Sequence, residues 1–237
     1  MLVKKEEQLL IPYIPGKLKV FVQGTVLYQA TCQMWRHKGY PLVDNLMDAD
    51  IICYTGGEDI SPALYKERKL EYTYPNIFRD NQDRQCYHNT VGNAYQVGLC
   101  RGGQLLNVLN DGRLWQDVDG HHFGTHPVYD VKTNVWKNVN TLHHQGIRPT
   151  IDATILTWAQ VSSTKIADKE TWSRGDIKIP HKSNSDSVVN VNEVDIEACW
   201  YEKTGSLCVQ WHPEFSHAES TNYFFELLED CLHYEKV

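Results

Sequence analysis

Residues 95–111 read YQVGLCRGGQLLNVLND, and the parsing of this stretch decides the fold. Tyr95–Leu99 is a short apolar run of strand length. Cys100-Arg101-Gly102-Gly103 follows, and Gln104–Leu109 opens an apolar-periodic helix that ends near Asp111-Gly112. Strand, tight turn and helix in that order predict a parallel α/β sheet. Within the stretch, Gly98-Leu99-Cys100-Arg101-Gly102 has Gly-x-nucleophile-x-Gly spacing. A nucleophile at a sharp strand-to-helix turn sits on strained backbone, and small neighbours relieve the crowding. The turn also aims the Arg101 backbone N–H at an incoming carbonyl, and the helix N-terminus adds positive potential there. On the pentapeptide alone, a buried structural cysteine beside two loop glycines is the competing reading.

Working outward, Lys17–Gln23 alternates polar and apolar residues and reads as a first strand. Tyr28–Lys38 reads as a short helix ended by Gly39 and Pro41. Asp50–Tyr54 reads as a buried strand feeding the turn Thr55-Gly56-Gly57, and Asp80–Asn93 as a polar helix. Ile155–Gln160, Ile196–Tyr201 and Ser206–Trp211 read as later strands, and Asn222–His233 as a closing amphipathic helix. Residues 162–194 are rich in Ser, Asn, Asp and Lys and read as a surface excursion of one domain spanning 1–237.

Composition narrows the function classes. The net charge of -7 and the lack of any basic run of five disfavour nucleic acid as a partner. The seven cysteines are odd in number, scattered and without a Cys-x-x-Cys pair, which argues against a zinc ribbon or a disulfide framework. A reducing, cytoplasmic setting is expected. Residues 1–20 hold no adequate apolar signal core, and no stretch approaches eighteen apolar residues, so no membrane association is expected.

A thiol nucleophile needs a base, and the base needs an orienting group. His212-Pro213-Glu214 follows the strand-like run Leu207–Trp211. At the C-terminal edge of a parallel sheet, His212 would face Cys100, and Glu214 would hold its second ring nitrogen. A surface histidine in a polar turn is the bland alternative, and the pairing with the cysteine turn outweighs it. His121, His122 and His126, with Asp117 and Asp119, raise the question of a metal. They lack a helical His-x-x-x-His pair with a glutamate and a nearby cysteine, so a polar loop beside the site is expected instead, with no metal and no cofactor. Trp115, Trp200 and Trp211 lie in core-like runs, while Trp136, Trp158 and Trp172 fit a pocket or an interface equally well.

GLCRGGQLLNVLNDGRLWQD (98–117) followed by VQWHPEF (209–215) resembles the class I glutamine amidotransferase superfamily, closest to its gamma-glutamyl-gamma-aminobutyrate hydrolase branch. Gly56-Gly57-Glu58-Asp59-Ile60-Ser61-Pro62 with Tyr65 is similar to that branch's Gly-Gly-x-Asp-x-x-Pro-x-x-Tyr loop. Arg79-Asp80 and the run Val139–Gln145 (VNTLHHQ) also match, in family order. Thr55 stands where the family carries Pro, a departure that alters the loop only slightly. The N-terminal third lacks the branch's motifs, and residues 162–194 are longer than in a minimal member; these two regions flank the site and bear on substrate choice.

The resemblance implies a flavodoxin-like open, mostly parallel sheet with helices on both faces and a nucleophile elbow. It implies Cys100 as nucleophile, His212 as base and Glu214 as orienting acid. The backbone N–H groups of Gly57 and Arg101 would form an oxyanion hole. Gly56, Gln104, His144 and Gln145 would bind the glutamyl group. The implied reaction cleaves a glutamine-type γ-amide through a γ-glutamyl thioester. Three settings stay open: a glutaminase that hands ammonia to a separate synthetase, a free-standing γ-glutamyl amide hydrolase, and an inactive binding protein on the same fold.

Overall fold

The computed structural model describes residues 18–160, 162–168, 176–179, 187–190 and 193–232. Strand β1 (Val20–Gln23) leads into helix α1 (Tyr28–His37), strand β2 (Ile51–Tyr54), helix α2 (Ile77–Thr90) and strand β3 (Tyr95–Leu99). Cys100 joins β3 directly to helix α3 (Arg101–Leu109). Short strands β4 (Arg113–Trp115) and β5 (Asp117–Val118) follow, then a long hairpin of β6 (Gly124–Asp130) and β7 (Val135–Thr141). The rest comprises β8 (Gly146–Arg148), β9 (Thr154–Gln160), β10 (Lys165–Ile166), β11 (Asp176–Ile179), β12 (Ser187–Asn190), β13 (Val194–Tyr201), β14 (Ser206–Val209) and helix α4 (Ala218–Cys231).

The main sheet is open, with order β1-β2-β3-β14-β13-β9-β6-β7. Strands β1, β2, β3 and β14 run parallel, and Cys100 and His212 follow two of them, β3 and β14. From β14 through β13, β9 and β6 to β7 the pairing is antiparallel, an extension beyond the parallel block. Strand β8 pairs with β13, and β4 pairs with β8. Within the segment read as an excursion, β10 pairs with β5, and β11 with β12.

Both faces of the parallel block are covered, so its strands are apolar on both sides. Along β2, Ile51 and Cys53 join one core with Trp35 of α1 and Phe224 and Leu228 of α4. Ile52 and Tyr54 point the other way, into a second core with Leu105 and Leu106 of α3 and Cys86 and Tyr87 of α2. Trp115, Trp200 and Trp211 are buried, while Trp136 and Trp158 pack edge to face at 5.5 Å beside Tyr129. Trp172 lies outside the described residues.

The elbow explains its glycines. A Cβ on Gly98 would collide with the Gly102 backbone, and one on Gly102 with the Tyr54 carbonyl. Only bare backbone lets α3 start this close to β2 and β3. Cys100 takes φ 50° and ψ −109°, which is costly for a non-glycine residue. It is pinned by Cys100 N–H donating to Val209 O at 2.7 Å and by its own carbonyl accepting from Gln104 N–H at 3.0 Å.

Several boundaries differ from the sequence reading. Helix α3 begins at Arg101, not Gln104, because the elbow anchors its first turn despite two glycines there. Helix α2 begins at Ile77, capped by Asn76 Oδ1 accepting from Arg79 N–H at 3.2 Å. Strand β14 ends at Val209, and α4 starts at Ala218, four residues early, capped by His217.

Candidate active site

The site lies at the C-terminal edge of β2, β3 and β14, where ligands gather in open α/β sheets. Cys100 follows β3 and is buried, with Sγ 3.9 Å from the Leu142 carbonyl. His212 follows β14. Its Nδ1 stands 2.7 Å from Glu214 Oε1, which leaves Nε2 as the ring nitrogen for another partner.

The His212 ring is fixed from several sides. Asn140 Nδ2 donates to the His212 carbonyl at 2.7 Å, and His212 N–H donates to Asn140 Oδ1 at 3.1 Å. Phe215 stacks on the imidazole at 4.6 Å with an 8° tilt. Gly56 lies beneath the ring, since a Cβ there would sit 2.8 Å from His212 Cε1. Burial works against charging this ring. The Cys100 sulfur and the Glu214 carboxylate outweigh burial and hold His212 up to about 11.

The Thr55–Gly57 loop is gripped by an arginine. Arg79 Nη2 donates to the carbonyls of Thr55 (3.0 Å) and Gly56 (2.8 Å) and to Thr55 Oγ1 (2.9 Å). Thr55, the departure from the family's Pro, thus gives the arginine an extra acceptor. Arg79 Nη1 donates to Glu58 at 2.9 Å. Behind the elbow, the buried Arg101 side chain donates to Asp80 and Asp83 at 2.6 Å each. Asp80 also accepts Ser61 N–H at 3.1 Å. The polar face of α2 therefore points inward and ties the glycine loop to the first residue of α3. Sequence patterning missed this network because α2 reads as uniformly polar, although the Arg79-Asp80 match marked its place.

The residues assigned to substrate surround this centre. Gln104 is buried and its Nε2 donates to the Gln145 carbonyl at 3.1 Å. Gln145 Oε1 accepts Ile60 N–H at 3.4 Å, while its buried Nε2 makes no hydrogen bond among the described residues. His144 is a third exposed and lies 2.8 Å from Asp59 Oδ1 and 3.2 Å from Asp117 Oδ1. His143 turns away from this side. The histidines and acids singled out around 117–126 do not assemble as a group. His122 binds the Val118 carbonyl and Asp117 pairs with His144, whereas His121 and His126 meet His143 and Glu197.

An open α/β sheet with a cysteine elbow beside a strand-end His-x-Glu is the layout of the class I glutamine amidotransferase superfamily, whose members are amidohydrolases acting on C–N bonds. The peptidase C26 family model matches residues 35–214, and the chain belongs to that family. Protein NtpR of Enterococcus hirae is 24% identical over 203 residues, covering 73% of this chain and 70% of NtpR. A putative glutamine amidotransferase-like protein YvdE of Lactococcus lactis is 44% identical over 73 residues, 29% of this chain and 30% of that protein. Among solved structures, a putative GMP synthase subunit from Thermoplasma acidophilum superposes with TM-score 0.54 at 14% identity, covering 90% of this chain and 94% of that one. A glutamine amidotransferase from Thermotoga maritima gives 0.54 at 14% identity, covering 90% and 83%. Among the described residues, no helix is long and apolar enough to cross a membrane.

Proposed function

We propose that the protein is a cysteine hydrolase that cleaves the γ-amide of a glutamyl group through a γ-glutamyl thioester. The observation that carries this reading is the strained Cys100 turn beside a His212 whose Nδ1 is already taken by Glu214. The Cys100 thiolate attacks the γ-carbonyl carbon, and its oxygen gains negative charge. The N–H groups of Gly57 and Arg101 receive that oxyanion, each such donor contributing about 3–4 kcal/mol. His212 gives the proton on Nε2 to the leaving amine as the C–N bond breaks. Water activated by the same nitrogen then hydrolyses the thioester, releasing glutamate and regenerating the thiol. Glu214 keeps the imidazole in the required orientation throughout.

In this reading the unpaired Gln145 Nε2 and the His144 ring meet the α-carboxylate and α-amino end of the substrate, with Gln104 holding their loop. The seven cysteines, all free thiols, fit work in a reducing compartment such as the cytosol.

The fate of the amine divides two settings. Membership of the peptidase C26 family favours free-standing hydrolysis of γ-glutamyl amides. Two similar proteins favour ammonia transfer. One is the rice chloroplastic carbamoyl phosphate synthase small chain (27% identical over 126 residues, 53% of this chain and 22% of that protein). The other is PurLQS of Thermotoga maritima (TM-score 0.51, 13% identity, covering 92% and 100%). The test is a panel of glutamine and γ-glutamyl amines assayed with wild type and Cys100→Ser. Turnover of γ-glutamyl amines by the isolated protein supports the hydrolase. Slow glutamine turnover that rises with an added synthetase and its acceptor supports the amidotransferase. Equal rates in wild type and Cys100→Ser would sink both.

A further inference from the structure

Four side chains from four separate elements converge beside the active site. His121 follows β5, His126 lies in β6, His143 lies between β7 and β8, and Glu197 lies in β13. Glu197 Oε1 is 3.3 Å from His121 Nδ1 and 3.5 Å from His143 Nε2, and Oε2 is 3.6 Å from His126 Nε2. One ligand atom from each residue can be chosen so that all four lie within 4.8 Å of one another.

These five atoms are all buried, and none makes a hydrogen bond among the described residues. Buried polar atoms without partners are uncommon, and five around one point call for a ligand. Glu197 is 0% exposed, His121 4% and His143 6%, while the His126 side chain is 13% exposed.

For two of the three histidines the opposite ring nitrogen faces an acceptor, and that of His143 also lies 3.0 Å from Gln210 Nε2. His121 Nε2 stands 2.9 Å from Asp195 Oδ2, and His143 Nδ1 stands 2.9 Å from the Gln145 carbonyl. A carboxylate or carbonyl accepting the distal N–H turns the other nitrogen outward as a lone-pair donor. Asp195 is further balanced by Lys165 at 2.6 Å. Zinc–nitrogen bonds of about 2.0–2.1 Å in a tetrahedron place neighbouring ligand atoms about 3.3–3.4 Å apart. The three glutamate–histidine separations fall close to that spacing.

We propose that His121, His126, His143 and Glu197 form a buried binding site for a divalent first-row transition metal of the zinc class. Three imidazoles and one carboxylate suit such an ion better than calcium or magnesium, which favour all-oxygen sets. The ion's role is to anchor. It ties Thr141–Gln145, whose Leu142 carbonyl lies 3.9 Å from Cys100 Sγ, to strand β13. The site stands independently of the reaction proposed above.

The test uses the full chain made without a polyhistidine tag. Metal content is measured by mass spectrometry, and the chelator-treated protein is titrated with cobalt(II) followed by visible absorption. The expected result is one metal per chain and the d–d bands of low-symmetry four-coordinate cobalt, without a thiolate charge-transfer band. Zinc at a hundredfold excess over its Kd should raise Tm by about 5–10 °C. His126→Ala and Glu197→Gln should each weaken cobalt binding at least tenfold, and Cys100→Ser should leave it unchanged. Should both ligand variants fail to fold, the wild-type titration decides alone. Wild type with neither a cobalt spectrum nor a metal-dependent Tm would overturn the proposal and leave a proton-sharing imidazole–carboxylate cluster. Undiminished binding by the variants would also overturn it.

Discussion

Glu214 Oε1 lies 2.7 Å from His212 Nδ1, although the two residues are separated only by Pro213. The turn after β14 therefore builds its own oriented imidazole, and the sheet needs only to bring the elbow alongside. In the proposed mechanism this pair fixes which ring nitrogen carries the transferred proton. Glu214→Gln is expected to lower kcat by about 10²- to 10⁴-fold with an unchanged fold, since the proton donor loses its alignment. Steady-state kinetics beside circular dichroism checks this, and a kcat within twofold of wild type would argue against the role.

Gly56 should matter to chemistry more than to stability. A methyl group there would stand 2.8 Å from His212 Cε1, closer than carbon atoms tolerate, and the ring must shift. Small misplacements of a catalytic group cost up to about 100-fold in rate. Gly56→Ala is expected to lose roughly 10- to 100-fold in kcat while its urea midpoint moves little. A large fall in the midpoint with normal kcat per folded molecule would assign Gly56 a folding role instead.

The Arg101 guanidinium sits between Asp80 and Asp83, with all three side chains 1% exposed. Removing the cation leaves the buried Asp80 without an ion-pair partner among the described residues and Asp83 with only Arg79 Nε at 3.5 Å. Arg101→Met is therefore expected to destabilise the fold by about 3–5 kcal/mol in urea unfolding. A loss below about 1 kcal/mol would mean that the aspartates find other partners.

His212 gives a pH dependence with a definite sign. An ordinary histidine loses its proton near pH 6.5, but this one keeps it to about 11 in the folded state. Its contribution to stability is fully present below about pH 6.5 and is lost as pH rises toward the folded value. Cys100 supplies part of the upward push, so Cys100→Ser should narrow the window. Urea unfolding at several pH values should give a shallower decline for Cys100→Ser than for wild type. A steeper decline in the variant would contradict the coupling.

The parts legible in the sequence are those fixed by short spacing. Gly98 and Gly102 announce the elbow because backbone collisions forbid any side chain there, and that constraint lies within five residues. His212-Pro213-Glu214 is readable for the same reason. The β6–β7 hairpin was not, because Pro127 argues against a strand. The structure tolerates it because β6 pairs with β9 only at Tyr129 and Asp130, leaving Pro127 with β7 alone as neighbour. Helix α2 looked like a solvated polar helix, yet Arg79, Asp80 and Asp83 are buried because their charges answer one another and Arg101. The sequence raises a metal at His121 and His126 and sets it aside, because long-range strand pairing, not spacing, brings Glu197 and His143 to them. The sequence grouped His121 and His126 with His122, Asp117 and Asp119, and these last three face other partners.

In the proposed reaction Cys100 alone among the seven cysteines is the nucleophile. Wild type should be treated with a glutamine-analogue electrophile and the modified peptides identified by mass spectrometry. One adduct per chain is expected, on Cys100, with parallel loss of activity and no labelling of Cys100→Ala. Labelling that spares Cys100, together with normal γ-glutamyl amide turnover by Cys100→Ala, would contradict it.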